Sequence, residues 1–237
     1  MNKVDVKRKI VIIGAGFVGS SIAYSLTLRN IAHEVVLVDI DHGKSEGEAL
    51  DIRHGVSSVG DTVVYAGEYS DCADCDLIII TAGVGRKPGQ SRRDLTAENI
   101  SIMSNVIESI KPYYTGSVIL IISNPVDVLT YKVNEWLAPP RGRIFSSGCS
   151  LDTSRLVSCI ADYFTVSTRL IDAVVIGEHG DAQIPVWSTV RIAGVPIRQY
   201  CEEFGTIWND QIQRDIALKK RKWVKELSNV REKLIMV

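Results

Sequence analysis

The sequence predicts an α/β fold. A parallel sheet wound on both faces by helices is expected over residues 1–147, followed by a partial α+β portion over 148–237. Three observations carry this expectation. A β-rich apolar run, RKIVII, passes through the glycines of GAGFVG into helical apolar spacing. A second apolar run, HEVVLV, ends at an acid, Asp39, twenty residues after Gly19. Three more strand-sized runs, TVVYAG, DLIIITAG and SVILIIS, alternate with helical stretches such as Glu98 to Ile110, the rhythm of parallel strands joined by crossover helices.

The first of these elements is also a chemical signature. Gly14 allows a tight turn, Gly16 lets the backbone approach a pyrophosphate, and Gly19 lets the helix pack closely on the strand. Phe17 and Val18 complete the turn that opens the helix, where free N–H groups and the helix dipole favour an anion. The unit is therefore expected to be of the Rossmann type and to bind a dinucleotide. Asp39 is placed to accept both adenosine ribose hydroxyls and to repel a 2′-phosphate, so the expected cofactor is NAD rather than NADP. Ligands of such sheets sit beyond the carboxyl ends of the strands, which adds Thr81, Ala82 and Gly83, and then Ser123 and Asn124, as cofactor-binding candidates.

VGRKPGQSRRDL, residues 84–95, begins at that same sheet edge. Gly85, Pro88 and Gly89 predict a mobile loop, and Arg86, Lys87, Arg92 and Arg93 put four cations on it. An isolated basic loop is usually just solvated; one at the ligand edge points to an anionic small molecule. Asn124 stands before Pro125, where it could hydrogen-bond the nicotinamide or a reacting carbonyl, cap the next helix, or do both. Asp152 and Arg155 in SLDTSRLV share a helix face, and the bland reading is a surface ion pair. His179, between Gly177 and Gly180 and just past a strand, is a candidate for proton transfer.

Composition narrows the classes. With 27 basic and 28 acidic residues, the chain has no global attraction to nucleic acid or an anionic membrane. The longest apolar runs are strand-sized, and MNKVDVKRK lacks the apolar core of a signal peptide, so a cytoplasmic setting is expected. Five cysteines without an export signal argue against a disulfide framework. Cys72 and Cys75 form a CxxC that lacks both a second ligand pair and the strand-to-helix context of a redox pair, so no metal is expected. Cys149, Cys159 and Cys201 read as packing residues.

Taken in order, GAGFVG, TAG…RKPGQSR, SNPVD, LDTSR and GEHGD…PVW resemble the lactate/malate dehydrogenase family over about residues 9 to 215, and GEHGDAQIPVWS is closer to its lactate branch. The resemblance implies NAD-dependent interconversion of L-lactate and pyruvate by hydride transfer, on a small 2-hydroxy or 2-keto acid. It implies that His179 protonates the carbonyl oxygen and that Asp152 accepts its other N–H. Arg155 would grip the substrate carboxylate with two prongs, and Arg92 would polarise the carbonyl as the loop closes. Arg86 takes the position that meets the substrate's variable group. An arginine there suits a second carboxylate, which keeps malate and oxaloacetate open as the alternative pair, and Gln90 departs from both branches. Dimers or tetramers of identical chains are implied. Val157 and Asp172 occupy the positions of a basic intersubunit phosphate site found in some relatives. Neither residue can hold a phosphate, so no activation by a sugar bisphosphate is expected.

After Ala217 the sequence changes to LKKRKWVKELSNVREKLIMV, and the family pattern continues beyond the point where this chain ends. The expectation is an incomplete substrate domain with an atypical basic tail from about residue 218. Ile216, Trp223, Leu227, Val230 and Leu234 fall at helical spacing, so the tail is expected to cover exposed core, with a membrane-surface or partner-binding helix as the lesser reading. Two further classes stay open beside an active enzyme: an NAD-binding remnant without turnover, and a scaffold acting through the tail.

Overall fold

The structure, a computed structural model, describes residues 8–85 and 89–234, with the backbone only for Arg92 and 224–234. The chain forms two units, Met1–Ser147 and Gly148–Val237. In the first, the elements run β1 (Lys9–Ile13), α1 (Phe17–Leu28), β2 (Glu34–Val38), α2 (His42–Gly55), β3 (Val63–Ala66), β4 (Leu77–Ile80), α3 (Arg92–Ile110), β5 (Val118–Ile121), α4 (Val126–Leu137) and β6 (Ile144–Ser146). The six strands make one sheet in the order β3-β2-β1-β4-β5-β6, and every pairing is parallel.

Alternation within each strand explains why both faces are covered. Val11, Ile13, Val36, Val38, Ile78 and Ile80 point into one buried cluster, shared with Met103 and Ile107 of α3 and Leu129 of α4. Their neighbours Ile10, Ile12, Val35, Leu37 and Ile79 point into the other, shared with Ala23 of α1 and Ala49 and Ile52 of α2. Strands buried on both faces read as continuous apolar runs, and each fully buried Ile or Leu contributes roughly 1.5–3 kcal/mol. The strand order reverses between β1 and β4, which makes their carboxyl ends the crevice of this sheet.

Two boundaries differ from the sequence expectation. Helix α3 begins at Arg92, so Arg92 and Arg93 lie in its first turn rather than on a loop extending to Leu95. Ser91 decides this: its hydroxyl accepts the Asp94 N–H at 3.1 Å and donates to the Asp94 carboxylate at 2.6 Å, an N-cap that starts the helix. Arg86, Lys87 and Pro88 lie outside the described residues. Strand β6, only three residues long, is the other addition; it pairs with β5 from Ile144 to Ser146.

The second unit contains α5 (Ser150–Phe164), β7 (Ile171–Asp172), β8 (Val175–Ile176), β9 (Ile184–Pro185), β10 (Arg191–Ile192), β11 (Val195–Pro196), α6 (Ile197–Glu203) and α7 (Asp210–Leu234). Its sheets are small, β11-β10-β7 and β8-β9, both antiparallel. Leu156, Cys159, Ile160, Ile192, Cys201 and Ile216 form its core, joined by Trp187, Trp208 and Trp223 at the margin. The basic tail is part of α7. Ile216 is buried, and Lys219 pairs with Asp162 of α5 at 2.9 Å while lying over the Trp223 ring. The side chains of Leu227, Val230 and Leu234 lie outside the described residues.

Candidate active site

In the first unit, a cavity of about 430 Å³ opens at the carboxyl ends of β1, β2 and β4. Gly14, Gly16, Asp39, Thr81, Ala82 and Gly83 line it, together with Ile40, Lys44, Tyr69 and Val84. Gly14 has φ +107°, and a Cβ there would sit 2.7 Å from the Ala82 nitrogen. A Cβ on Gly19 would fall 1.9 Å from the Gly14 carbonyl oxygen, so helix and turn meet at a distance only glycine permits. Thr81 closes the turn by donating to Gly14 O at 2.8 Å. Asp39 accepts the Ala15 N–H at 2.7 Å through Oδ2 and the Asp41 N–H at 3.0 Å through Oδ1. Each carboxylate oxygen has a further lone pair, so two hydroxyls can still be accepted. A glycine cradle, a helix N-terminus and a carboxylate on one cavity fit a dinucleotide. Phe17 and Val18 are not among the lining residues; both are exposed in the first turn of α1.

Ser123 and Asn124 follow β5. The buried Ser123 hydroxyl donates to Ala82 O at 2.7 Å, so it braces the neighbouring strand end. Asn124 is exposed and does not cap α4, whose N-cap residue is Pro125 with no side-chain cap bond. Its carbonyl accepts from the Asn99 amide at 2.8 Å. Asn99, buried on α3, also bonds the N–H and carbonyl of Val84 at 2.8 and 3.1 Å, which ties the segment after β4 to the segment after β5.

The second unit brings three of the predicted residues into contact. Asp152 sits in the first turn of α5 with its side chain 2% exposed, and His179 Nδ1 lies 2.7 Å from its Oδ2. Arg155, one turn on, faces Oδ1 at 3.5 Å. A carboxylate this buried is not half of a surface ion pair. The hairpin β8-β9 carries His179 in its loop, and several contacts fix that loop. Thr153 Oγ1 accepts the Val175 N–H at 2.9 Å, and the Cys149 thiol reaches Gly177 O at 3.3 Å. Gln183 Nε2 donates to Gly180 O at 2.7 Å. Gly177 has φ +94° in this turn. With Asp152 accepting from Nδ1, the ring is held in one orientation and its second nitrogen is Nε2.

Residues 8–146 match the NAD binding domain of the lactate/malate dehydrogenases, and residues 149–217 match their alpha/beta C-terminal domain. The chain belongs to the lactate/malate dehydrogenase family. An L-lactate dehydrogenase of Acetivibrio thermocellus is 40% identical over 203 residues, 86% of this chain and 64% of that protein. The minor L-lactate dehydrogenase of Enterococcus mundtii, in its ligands-bound crystal form, aligns with a TM-score of 0.90 at 35% identity, covering 95% of this chain and 72% of that one. The apo malate dehydrogenase of Picrophilus torridus aligns with a TM-score of 0.86 at 33% identity, covering 95% and 69%. The chain thus spans less than two thirds of the length of the A. thermocellus relative.

The CxxC is buried: its Cys72 thiol is pushed up by the hydrogen bond with Cys75 and by burial, while that same bond lowers Cys75. Among the described residues no group of His, Cys, Asp and Glu could hold a metal, and no helix is long and apolar enough to cross a membrane. Sequence reasoning missed Lys44, Asn99 and Lys220. The first could have been found as a cation one turn into the helix that follows Asp39. The second is a polar residue on the apolar stripe of α3. Lys220 is buried beside Asp152, with Nζ 3.8 Å from Oδ1, and nothing in a run of lysines marks the one that turns inward.

Proposed function

We propose that the protein is an NAD-dependent dehydrogenase that interconverts pyruvate and L-lactate. The observation that carries this reading is the Asp152–His179 pair: a 2.7 Å contact to a carboxylate that is 2% exposed, with Arg155 one helical turn away. Bound NADH would supply the hydride. Gly14, Gly16 and Thr81 would surround its pyrophosphate, and Asp39 would take its adenosine ribose. His179, held in one tautomer by Asp152, gives its Nε2 proton to the carbonyl oxygen, and takes it back in the reverse direction. Asp152 stabilises the charged imidazole and keeps the ring aimed. Arg155 binds the substrate carboxylate with two parallel N–H donors, a geometry lysine lacks. Arg92 is assigned the charge that develops on the oxygen, Asn124 a hydrogen bond to the nicotinamide or carbonyl, and Arg86 the substrate's variable group. The same reading carries a cytoplasmic setting and an assembly of identical chains.

The test runs pyruvate and oxaloacetate side by side with NADH, on the parent and on His179→Gln. Pyruvate is expected to be the better substrate, and His179→Gln to lower kcat by at least about a hundredfold while NADH affinity stays within about twofold. Preference for oxaloacetate would assign Arg86 to a second carboxylate and malate chemistry to the site. NADH binding without turnover of either acid would make the chain a nucleotide-binding protein.

A further inference from the structure

Asp152 carries a single negative charge, yet three groups face it. His179 takes Oδ2 at 2.7 Å, while Arg155 Nη1 at 3.5 Å and Lys220 Nζ at 3.8 Å both face Oδ1. Lys220 stands on α7, three residues past the family's C-terminal match, which ends at 217. Its side chain is 4% exposed. The ammonium also donates to Gln183 Oε1, and the same Gln183 amide holds Gly180 in the His179 loop. The charged or titratable groups acting on it are Asp152, Cys149, Arg155 and Arg221. Burial pulls its proton affinity below that of an ordinary lysine, and the Asp152 charge opposes the loss.

Arg155 is placed so that its own helix offers it a carboxylate. An arginine beside a buried carboxylate normally closes on it with two short bonds. Here the contact is single and long, and Lys220 faces the same oxygen. With His179 carrying the proton it delivers, the imidazolium, Arg155 and Lys220 against Asp152 leave two net positive charges. A bound carboxylate offsets one of them, and transfer of the proton to oxygen removes the other.

We infer that Lys220 is a positioning residue, the standing counter-ion of Asp152, and that it leaves the Arg155 guanidinium open to the carboxylate of a 2-keto acid. The inference rests on the dehydrogenase reading and deepens it: without the lysine, Asp152 draws Arg155 onto itself and the substrate loses its grip.

Lys220→Gln keeps a donor for Gln183 and removes the charge. Pyruvate kinetics are measured with calorimetric binding of oxamate, an unreactive pyruvate analogue, in the presence of NADH. For Lys220→Gln, the KM for pyruvate and the Kd for oxamate are expected to rise about tenfold, with a larger change in KM than in kcat. Lys220→Arg should restore both to within about threefold. Lys220→Met, which also releases Gln183, should weaken oxamate at least as much as Lys220→Gln. If that variant does not fold, Lys220→Gln carries the comparison. Oxamate binding unchanged in Lys220→Gln, with pyruvate still reduced, overturns the inference and leaves the dehydrogenase reading intact. A parent protein that binds NADH but neither oxamate nor any turned-over keto acid overturns both.

Discussion

Asn99 shows how one buried amide can hold a site together. Its side chain makes three hydrogen bonds, two to Val84 and one to Asn124, and these join the ends of β4 and β5 on either side of the proposed nicotinamide position. Truncating it removes the partner of the half-buried Val84 N–H and carbonyl and of the Asn124 carbonyl, and such a group costs about 1–3 kcal/mol when it is fully buried and left unpaired. Asn99→Ala should therefore lower the stability of residues 8–147 by about 2–3 kcal/mol, read from urea midpoints, and weaken NADH binding at the same time. An unchanged midpoint would mean that water takes over those bonds. The charged residues at this scale were unevenly legible. Asp152 and His179 could be found in the sequence because their spacing and flanking glycines are local signals. Lys220 could not, because its burial depends on where α7 lies against α5, and a lysine among lysines predicts a solvated face.

At the scale of elements, β1, β2 and β3 are joined at one end by charge as well as by their ladder. Lys9 of β1 donates to Asp71 and Asp74 at 2.9 Å each, and the Tyr65 hydroxyl of β3 lies 3.2 Å from both Glu34 of β2 and Asp71. Burial alone would raise the Asp71 pKa, but the Lys9 hydrogen bond and the Glu68 N–H hold it below the ordinary 3.8. Its contribution is thus present above about pH 3.8 and is lost as pH falls through the depressed value. Tyr65 behaves in the opposite sense. Burial and the Asp71 charge push it up to about 12 from 10.0, so its share is present below pH 10.0 and is lost as pH rises towards 12. Asp71→Asn should lower stability at pH 7 by on the order of 1 kcal/mol, and the gap from the parent should close as pH falls from 3.8 through the depressed carboxyl value. A gap that persists at low pH would show that Asp71 acts through packing. The sheet was readable because its strands are buried on both faces and leave unbroken apolar runs. Strand β6 is too short to show a period, and the start of α3 was hidden by the glycines and proline just before it, although Ser91 and Asp94 form a local cap signal.

On the scale of the whole molecule, two units carry distinct chemical tasks: a glycine-cradled cavity with Asp39, and a buried acid that aims an imidazole beside an arginine. The family match covers both, and Lys220 lies just beyond it. In the proposed function these parts together move a hydride from NADH to C2 of a 2-keto acid while His179 supplies the proton to oxygen. The most direct measurement is mass spectrometry of the product formed from pyruvate and NADH deuterated at the transferred C4 position. The expected product is L-lactate with one deuterium on C2, formed by the parent and lost in His179→Gln. NADH that binds without label reaching C2 would contradict it.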